Sequence, residues 1–171
     1  MIKPSRGYAF TILRPTSEKL APILEALKKE AIFFVLTLER GRNSVHEHAQ
    51  AYVYFRKKIS YPKMRKLIRN SYCKAAQASP VQNWHYCLKT DEEYQSPIIS
   101  SFGDLKKAQD SWEDEVAHAE ASAWIKQDMS WDEMKEKAVE LQAKLRATAT
   151  APPGGLRGGP QSGGPPSDTT V

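Results

Sequence analysis

Cysteine is scarce in this chain. Cys73 and Cys87 form no CxxC pair, which argues against a disulfide framework or a cysteine-based zinc site. Both are expected to be reduced thiols packed against apolar neighbours. Long apolar runs are also missing: the longest, Ala31 to Leu36 with Leu38 just beyond, is far too short to cross a bilayer. The N-terminus lacks the apolar stretch and small-residue cleavage site of a secretory signal, so a soluble intracellular protein is expected, with no membrane partner. Acidic residues are rare in the first half. Residues 1–90 carry 17 Lys and Arg against 5 Asp and Glu, a net +12, whereas residues 91–171 carry 8 against 15, a net −7. The first half suits a polyanion and the second does not.

What is present folds. Hydrophobic residues at 40% and charged residues at 26% allow one core-bearing domain plus an appendage. Gly7 to Arg14 (GYAFTILR) reads as a strand, and Pro15-Thr16-Ser17 stops it and caps a helix bearing Leu20, Ile23, Leu24 and Leu27 at helical spacing. Ala31–Glu39 and Val45–Phe55 read as strands joined by a turn at Gly41-Arg42-Asn43-Ser44, hence antiparallel neighbours. Pro62 opens a second helix through Met64, Leu67 and Ile68, Tyr72–Ala76 is a fourth strand, and Pro80 opens a third helix to Lys89.

The fold class expected is α+β: an antiparallel sheet of about five strands flanked by helices over residues 1–100. A helical hairpin is expected over 101–148 and a disordered Gly/Pro-rich tail over 149–171. In the hairpin, Trp112, Val116, Ala119 and Ala123 form one stripe. Ser130 and Glu133 form a capping box, and Trp131, Met134, Ala138, Leu141 and Leu145 form a seam fit for oligomerisation or a partner.

Three segments matter together: Phe10-Thr11-Ile12-Leu13 in the first strand, with a structural or DNA-contact role, and His48-Ala49-Gln50 in the third strand and Tyr86-Cys87-Leu88-Lys89 in the third helix, which carry the chemistry. In order and spacing, residues 7–95 resemble the N-terminal domain of Rep proteins of circular single-stranded DNA viruses, members of the HUH endonuclease superfamily. The chain departs from that pattern in having Arg14-Pro15 after the first motif and Gln50 where a second His is usual. No GxxxxGK[ST] occurs in these 171 residues, so a helicase supplied elsewhere is expected.

The resemblance implies a nickase that starts rolling-circle replication at a stem-loop origin, in the host nucleus, or in the cytoplasm if the element is bacterial. The residues support it independently. Side chains two apart on a strand project from one face, so His48 and Gln50 can hold one ion, with Glu39 on the adjacent strand supplying a carboxylate. Nitrogen and oxygen ligands suit Mg²⁺ or Mn²⁺. His46 lies on the same face as a neighbour or substitute, and Glu47 on the opposite one. Tyr86 is the candidate nucleophile and Lys89, three residues on along the helix, its cationic partner.

Arg56, Lys57, Lys58, Lys63, Arg65, Lys66 and Arg69, with Lys74, come with no acidic residue between 56 and 74, and suit the phosphates of single-stranded DNA. Tyr52, Tyr54, Tyr61 or Tyr72 could stack on bases. His85 could touch DNA or cap the strand–helix junction, and His118 should face solvent. Two alternatives share these features: a non-catalytic single-stranded nucleic-acid-binding module, and a single-tyrosine transposase or plasmid relaxase.

Overall fold

Apolar residues run almost unbroken through AIFFVLTL and AQAYVYF, so these strands have two faces to bury, and helices cover both. The computed structural model describes residues 1–40, 46–90 and 95–150. The strands are β1 (Ser5–Leu13), β2 (Ala31–Arg40), β3 (Glu47–Ile59), β4 (Tyr72–Ala75) and β5 (Ile98–Gly103). The helices are α1 (Ser17–Glu30), α2 (Tyr61–Leu67), α3 (Pro80–Leu88), α4 (Leu105–Lys126) and α5 (Trp131–Thr150). One five-stranded sheet runs in the order β4-β1-β3-β2-β5, antiparallel throughout, which is the α+β class expected. The turn expected at Gly41–Ser44, the start of the third strand at Val45 and the tail from Ala151 lie outside the described residues.

One face packs α1 and α2 over Tyr8, Phe10, Ile12, Phe34, Leu36, Val53 and Phe55, with Leu20, Ile23, Leu27 and Met64 descending from the helices. Period-2 alternation puts the intervening residues on the other face, where Phe33, Val35, Tyr52 and Tyr54 lie under Cys87 and Leu88 of α3 and Ala108 of α4. That second face carries the site.

Several elements depart from the sequence reading. β3 runs on past Phe55 to Ile59, because Ile59 is buried and pairs with Ser5. The charged run Arg56-Lys57-Lys58 looked like a strand end, but Lys58 and Arg6 both meet Glu115 of α4, at 2.8 and 3.6 Å. β5 spans residue 100 and joins the sheet against β2, where Phe102 stacks on Phe34 with ring centroids 5.5 Å apart. α4 then packs its first half, through Ala108 and Trp112, on the sheet.

α5 returns along α4. Its Thr148 meets both Ser79, at the start of α3, and Gln109. Met134, Ala138, Leu141 and Leu145 are shielded as the seam requires, but Trp131 is 68% exposed, since it begins the helix and holds only the Lys135 ammonium over its ring. Ala119 is exposed too, because it falls beyond the part of α4 that reaches the sheet. His118 faces solvent, as expected.

Candidate active site

The site begins with register. β2 and β3 pair so that Thr37 stands opposite Gln50 and Glu39 opposite His48; β1 sets Thr11 opposite Gln50 and Leu13 opposite His48. Opposed residues in an antiparallel pair project from the same face. Two cross-strand rows result: Thr11-Gln50-Thr37, and beyond it Leu13-His48-Glu39. Nearer the middle of the sheet the same face is sealed by α3 and α4. At this end the cover stops, and the Glu39 and His48 side chains are 27% and 22% exposed.

Within the rows the polar atoms are already engaged. His48 Nε2 lies 3.4 Å from Glu39 Oε2. The Thr11 hydroxyl donates to Gln50 Oε1 at 3.2 Å, which orients the amide and leaves that oxygen a second lone pair. Among the described residues no three His, Cys, Asp or Glu side chains gather as a metal site. A divalent ion here would therefore draw on Glu39, His48 and the Gln50 amide oxygen. That nitrogen–carboxylate–amide set on adjacent rigid strands fits the chemistry of Mg²⁺ or Mn²⁺.

α3 brings the other half. Pro80 occupies its first turn and Ser79 with Gln82 completes a capping box. Cys87 and Leu88 bury its sheet-facing side. The buried Thr37 hydroxyl donates to the Cys87 carbonyl at 2.7 Å and pins the last turn of the helix to β2. Thr37 was not singled out in the sequence, where a threonine in an apolar strand gives no signal of its own.

The pinned turn ends at Lys89, which is not in the helix but caps it in the left-handed conformation, φ 56°. Non-glycine residues adopt that conformation at a cost, and such strain gathers at functional sites. From the cap, Lys89 Nζ reaches to 3.6 Å from Glu39 Oε1 and 4.3 Å from the centroid of the half-buried Tyr86 ring. Tyr86, Lys89, Glu39 and His48 thus form one continuous group, with Gln50 in the adjoining row.

Other candidates sit elsewhere. His46 precedes β3 and its ring meets Arg14 at 3.2 Å, while Glu47 pairs with Arg40 at 2.7 Å. His85 bonds Thr90 at 3.0 Å, so it ties the end of α3 to the segment that follows and not the strand–helix junction before it. Tyr52 and Tyr54 are buried to 1% exposure under α3 and α4 and cannot stack on bases. Burial pushes the Tyr54 phenol up to about 12.

The basic run divides. Arg56 and Lys58 lie eight and ten residues along β3 from His48, which places Lys58 roughly 30 Å away at ~3.3 Å per residue. Arg56 donates to the Lys29 carbonyl. Lys63, Arg65 and Lys66 belong to α2, which packs on the opposite face, where Lys63 pairs with Glu30 at 2.6 Å and Arg65 donates to the Asn70 carbonyl. Arg69 is the member of the set that borders the same cleft as Thr11 and Leu13.

The family model for viral replication proteins, Viral_Rep, matches residues 5–90, half of the chain. The chain therefore belongs to the family of viral replication proteins. The matched span starts with β1 and ends just past the α3 cap, so it includes Glu39, His48, Gln50, Tyr86 and Lys89. Membership supports an initiator's role in viral DNA replication, and with it DNA binding. No curated protein matches the chain. Among the described residues no helix is long and apolar enough to cross a membrane.

Proposed function

We propose that this viral replication protein nicks and rejoins single-stranded DNA through Tyr86, aided by a divalent metal. The observation that carries the reading is the place of Lys89, whose ammonium lies 3.6 Å from the Glu39 carboxylate that pairs with His48 and 4.3 Å from the centre of the Tyr86 ring. Glu39, His48 and Gln50 would hold the ion. Bound there, Mg²⁺ or Mn²⁺ would supply Lewis-acid polarisation of a non-bridging phosphate oxygen.

The protein's own groups do the rest. Tyr86 Oη attacks the scissile phosphorus as its proton leaves; a phenol with an ordinary pKa near ~10 needs a cation close by, and the Lys89 ammonium is that cation. The P–O3′ bond breaks and the departing oxygen takes up a proton, giving a free 3′-hydroxyl and a 5′-phosphotyrosine. Attack by a 3′-hydroxyl on that phosphotyrosine reverses the balance, restores the phenol and joins two strands. Thr11 holds the Gln50 amide, and Thr37 fixes the turn that presents Tyr86 and Lys89.

Incubation with labelled single-stranded origin DNA, with and without Mn²⁺, tests this on a denaturing gel. A metal-dependent covalent shift that disappears in Tyr86→Phe is expected. Normal adduct formation by Tyr86→Phe would sink the proposal. A module that only binds nucleic acid on an open sheet is disfavoured, since Tyr52 and Tyr54 lie beneath helices.

A further inference from the structure

We propose that the cleft at the open end of β1 is a pocket for one base of a single-stranded nucleic acid, with Tyr72 as its stacking wall and Arg69 as its phosphate contact. The inference rests on the reading of this chain as an enzyme of single-stranded DNA, and it names a subsite of that enzyme.

The cleft has a volume of about 520 Å³, inside the usual range of ligand pockets, roughly 300–1,000 Å³. The cleft lies at the sheet edge: Leu13 and Tyr72 come from the face that carries Gln50 and His48, whereas Ile12 and Ile23 come from the face under α1. Tyr72 is 47% exposed and Leu13 50%, so two large apolar side chains meet solvent beside a row of polar ones. Isolated exposed apolar residues are ordinary, but a pair lining one concavity with two cations at its rim is a binding feature.

The cations are Arg69 and Lys19. Lys19 Nζ is held at 3.2 Å from both the Leu13 and Arg14 carbonyls, which keeps its charge at the mouth. The wall carrying Arg69 is built under strain. Arg69 and Asn70 are both left-handed, with φ 52° and 63°, and Arg65 clamps the turn by donating to the Asn70 carbonyl at 2.9 Å. Both belong to the turn that ends α2, where the Asn70 N–H donates to the Arg65 carbonyl at 2.7 Å, so the stop of the helix fixes the backbone at Arg69.

Register ties the cleft to the chemistry. Tyr72 stands opposite Thr11 on β1, and Thr11 opposite Gln50 on β3, so all three lie in one row on one face. Tyr72 is therefore two strands from Gln50, about 10 Å at ~4.8 Å per strand. A strand whose phosphate lies over His48 and Gln50 can put a neighbouring base against the Tyr72 ring, and a π-face accepts any base. The buried Tyr52 and Tyr54 cannot offer this surface, and the lysines of α2 lie on the other face.

Fluorescence anisotropy of a labelled single-stranded thymidine 12-mer with the full chain, without added metal, tests the proposal. Tyr72→Ala should weaken binding about tenfold or more, while Tyr72→Phe, which keeps the ring, should bind like the parent. Arg69→Gln should weaken it and flatten the salt dependence by about 0.7 in log–log slope, one phosphate contact. Ultraviolet melting curves that match the parent establish that the variants are folded.

If the 12-mer binds equally well to Tyr72→Ala, or does not bind at all, the pocket is overturned. Adduct formation through Tyr86 would stand or fall separately on the denaturing gel. If binding depends on Tyr72 but no adduct ever forms, the pocket stands and the nicking reading fails. Photocrosslinking of the 12-mer carrying 5-iododeoxyuridine should label Tyr72, and labelling confined to other residues would also overturn the assignment.

Discussion

Lys89 stands between Glu39 and Tyr86: its ammonium is 3.6 Å from the Glu39 carboxylate and 4.3 Å from the centre of the Tyr86 ring. One cation therefore shares the carboxylate that a divalent ion would need and neighbours the phenol proposed to react. In the proposed reaction, metal loading and nucleophile activation would be linked through Glu39. Removing Lys89 should move the two in opposite directions.

For Lys89→Gln, titration calorimetry should show Mn²⁺ binding tightened by about three- to tenfold, as roughly 1 kcal/mol of competing ion pair at this partly exposed site disappears. Adduct formation should fall at least tenfold in the same variant. Weaker Mn²⁺ binding in Lys89→Gln would rule out this competition.

Thr37→Val keeps the shape of a buried side chain and deletes the hydroxyl that holds the Cys87 carbonyl. Unfolding in urea should show a loss of about 1–3 kcal/mol, the cost of a buried acceptor left without a donor. The transition slope should not change. Adduct formation should slow further than stability explains, because the last turn of α3 aims Tyr86 and Lys89.

Gly103 closes β5 with φ 83°, and a Cβ there would collide with the Ile32 carbonyl. Gly103→Ala should cost at least about 2 kcal/mol in thermal unfolding, from backbone strain and a broken β2–β5 edge. A melting temperature equal to the parent's would show that β5 is not needed for the fold.

Both thiols should resist modification. Burial raises the Cys73 pKa and pushes the Cys87 thiol up to about 12, despite the opposing influence of Lys89 on Cys87. Both thiols are buried and both shifts favour the unreactive protonated form, so an aromatic disulfide reagent should react within minutes only after denaturant is added. Rapid labelling of Cys87 in the native protein would show that α3 lifts from the sheet.

Cutting the chain after residue 100 removes Phe102, which stacks on Phe34, and Ala108, which fills the second face. The cooperative unfolding transition of such a fragment should be lost or strongly lowered. A chain ending at Asp128 keeps β5 and α4 and should retain its transition. Sedimentation of the chain ending at Asp128 against the full chain would show whether α5 carries self-association.

Much of this was legible in the residues. Period-2 alternation in FTIL and AYVYF, helical spacing in α1, and the proline starts of α2 and α3 are local signals, and each element formed where its pattern lay. β5 was less so: an exposed, short edge strand with two serines has little alternation to read. The true end of β3 was hidden because Lys58 is neutralised by Glu115, 57 residues away.

By itself, the sequence determined which chemical groups were available and which shared a face, since strand alternation makes His48 and Gln50 point together. Tertiary structure alone decided which strand lay beside them, how far β2 and β3 were in register, and where α3 ended. Those depend on contacts remote in the chain, above all Thr37 with Cys87 and Thr11 with Gln50. It also separated cations that look alike in sequence, leaving Lys58 and Lys63 in ion pairs, Lys89 over Tyr86, and Arg69 at the mouth of a cleft. A charge's role follows from the surface it lies against, and only folding supplies that surface.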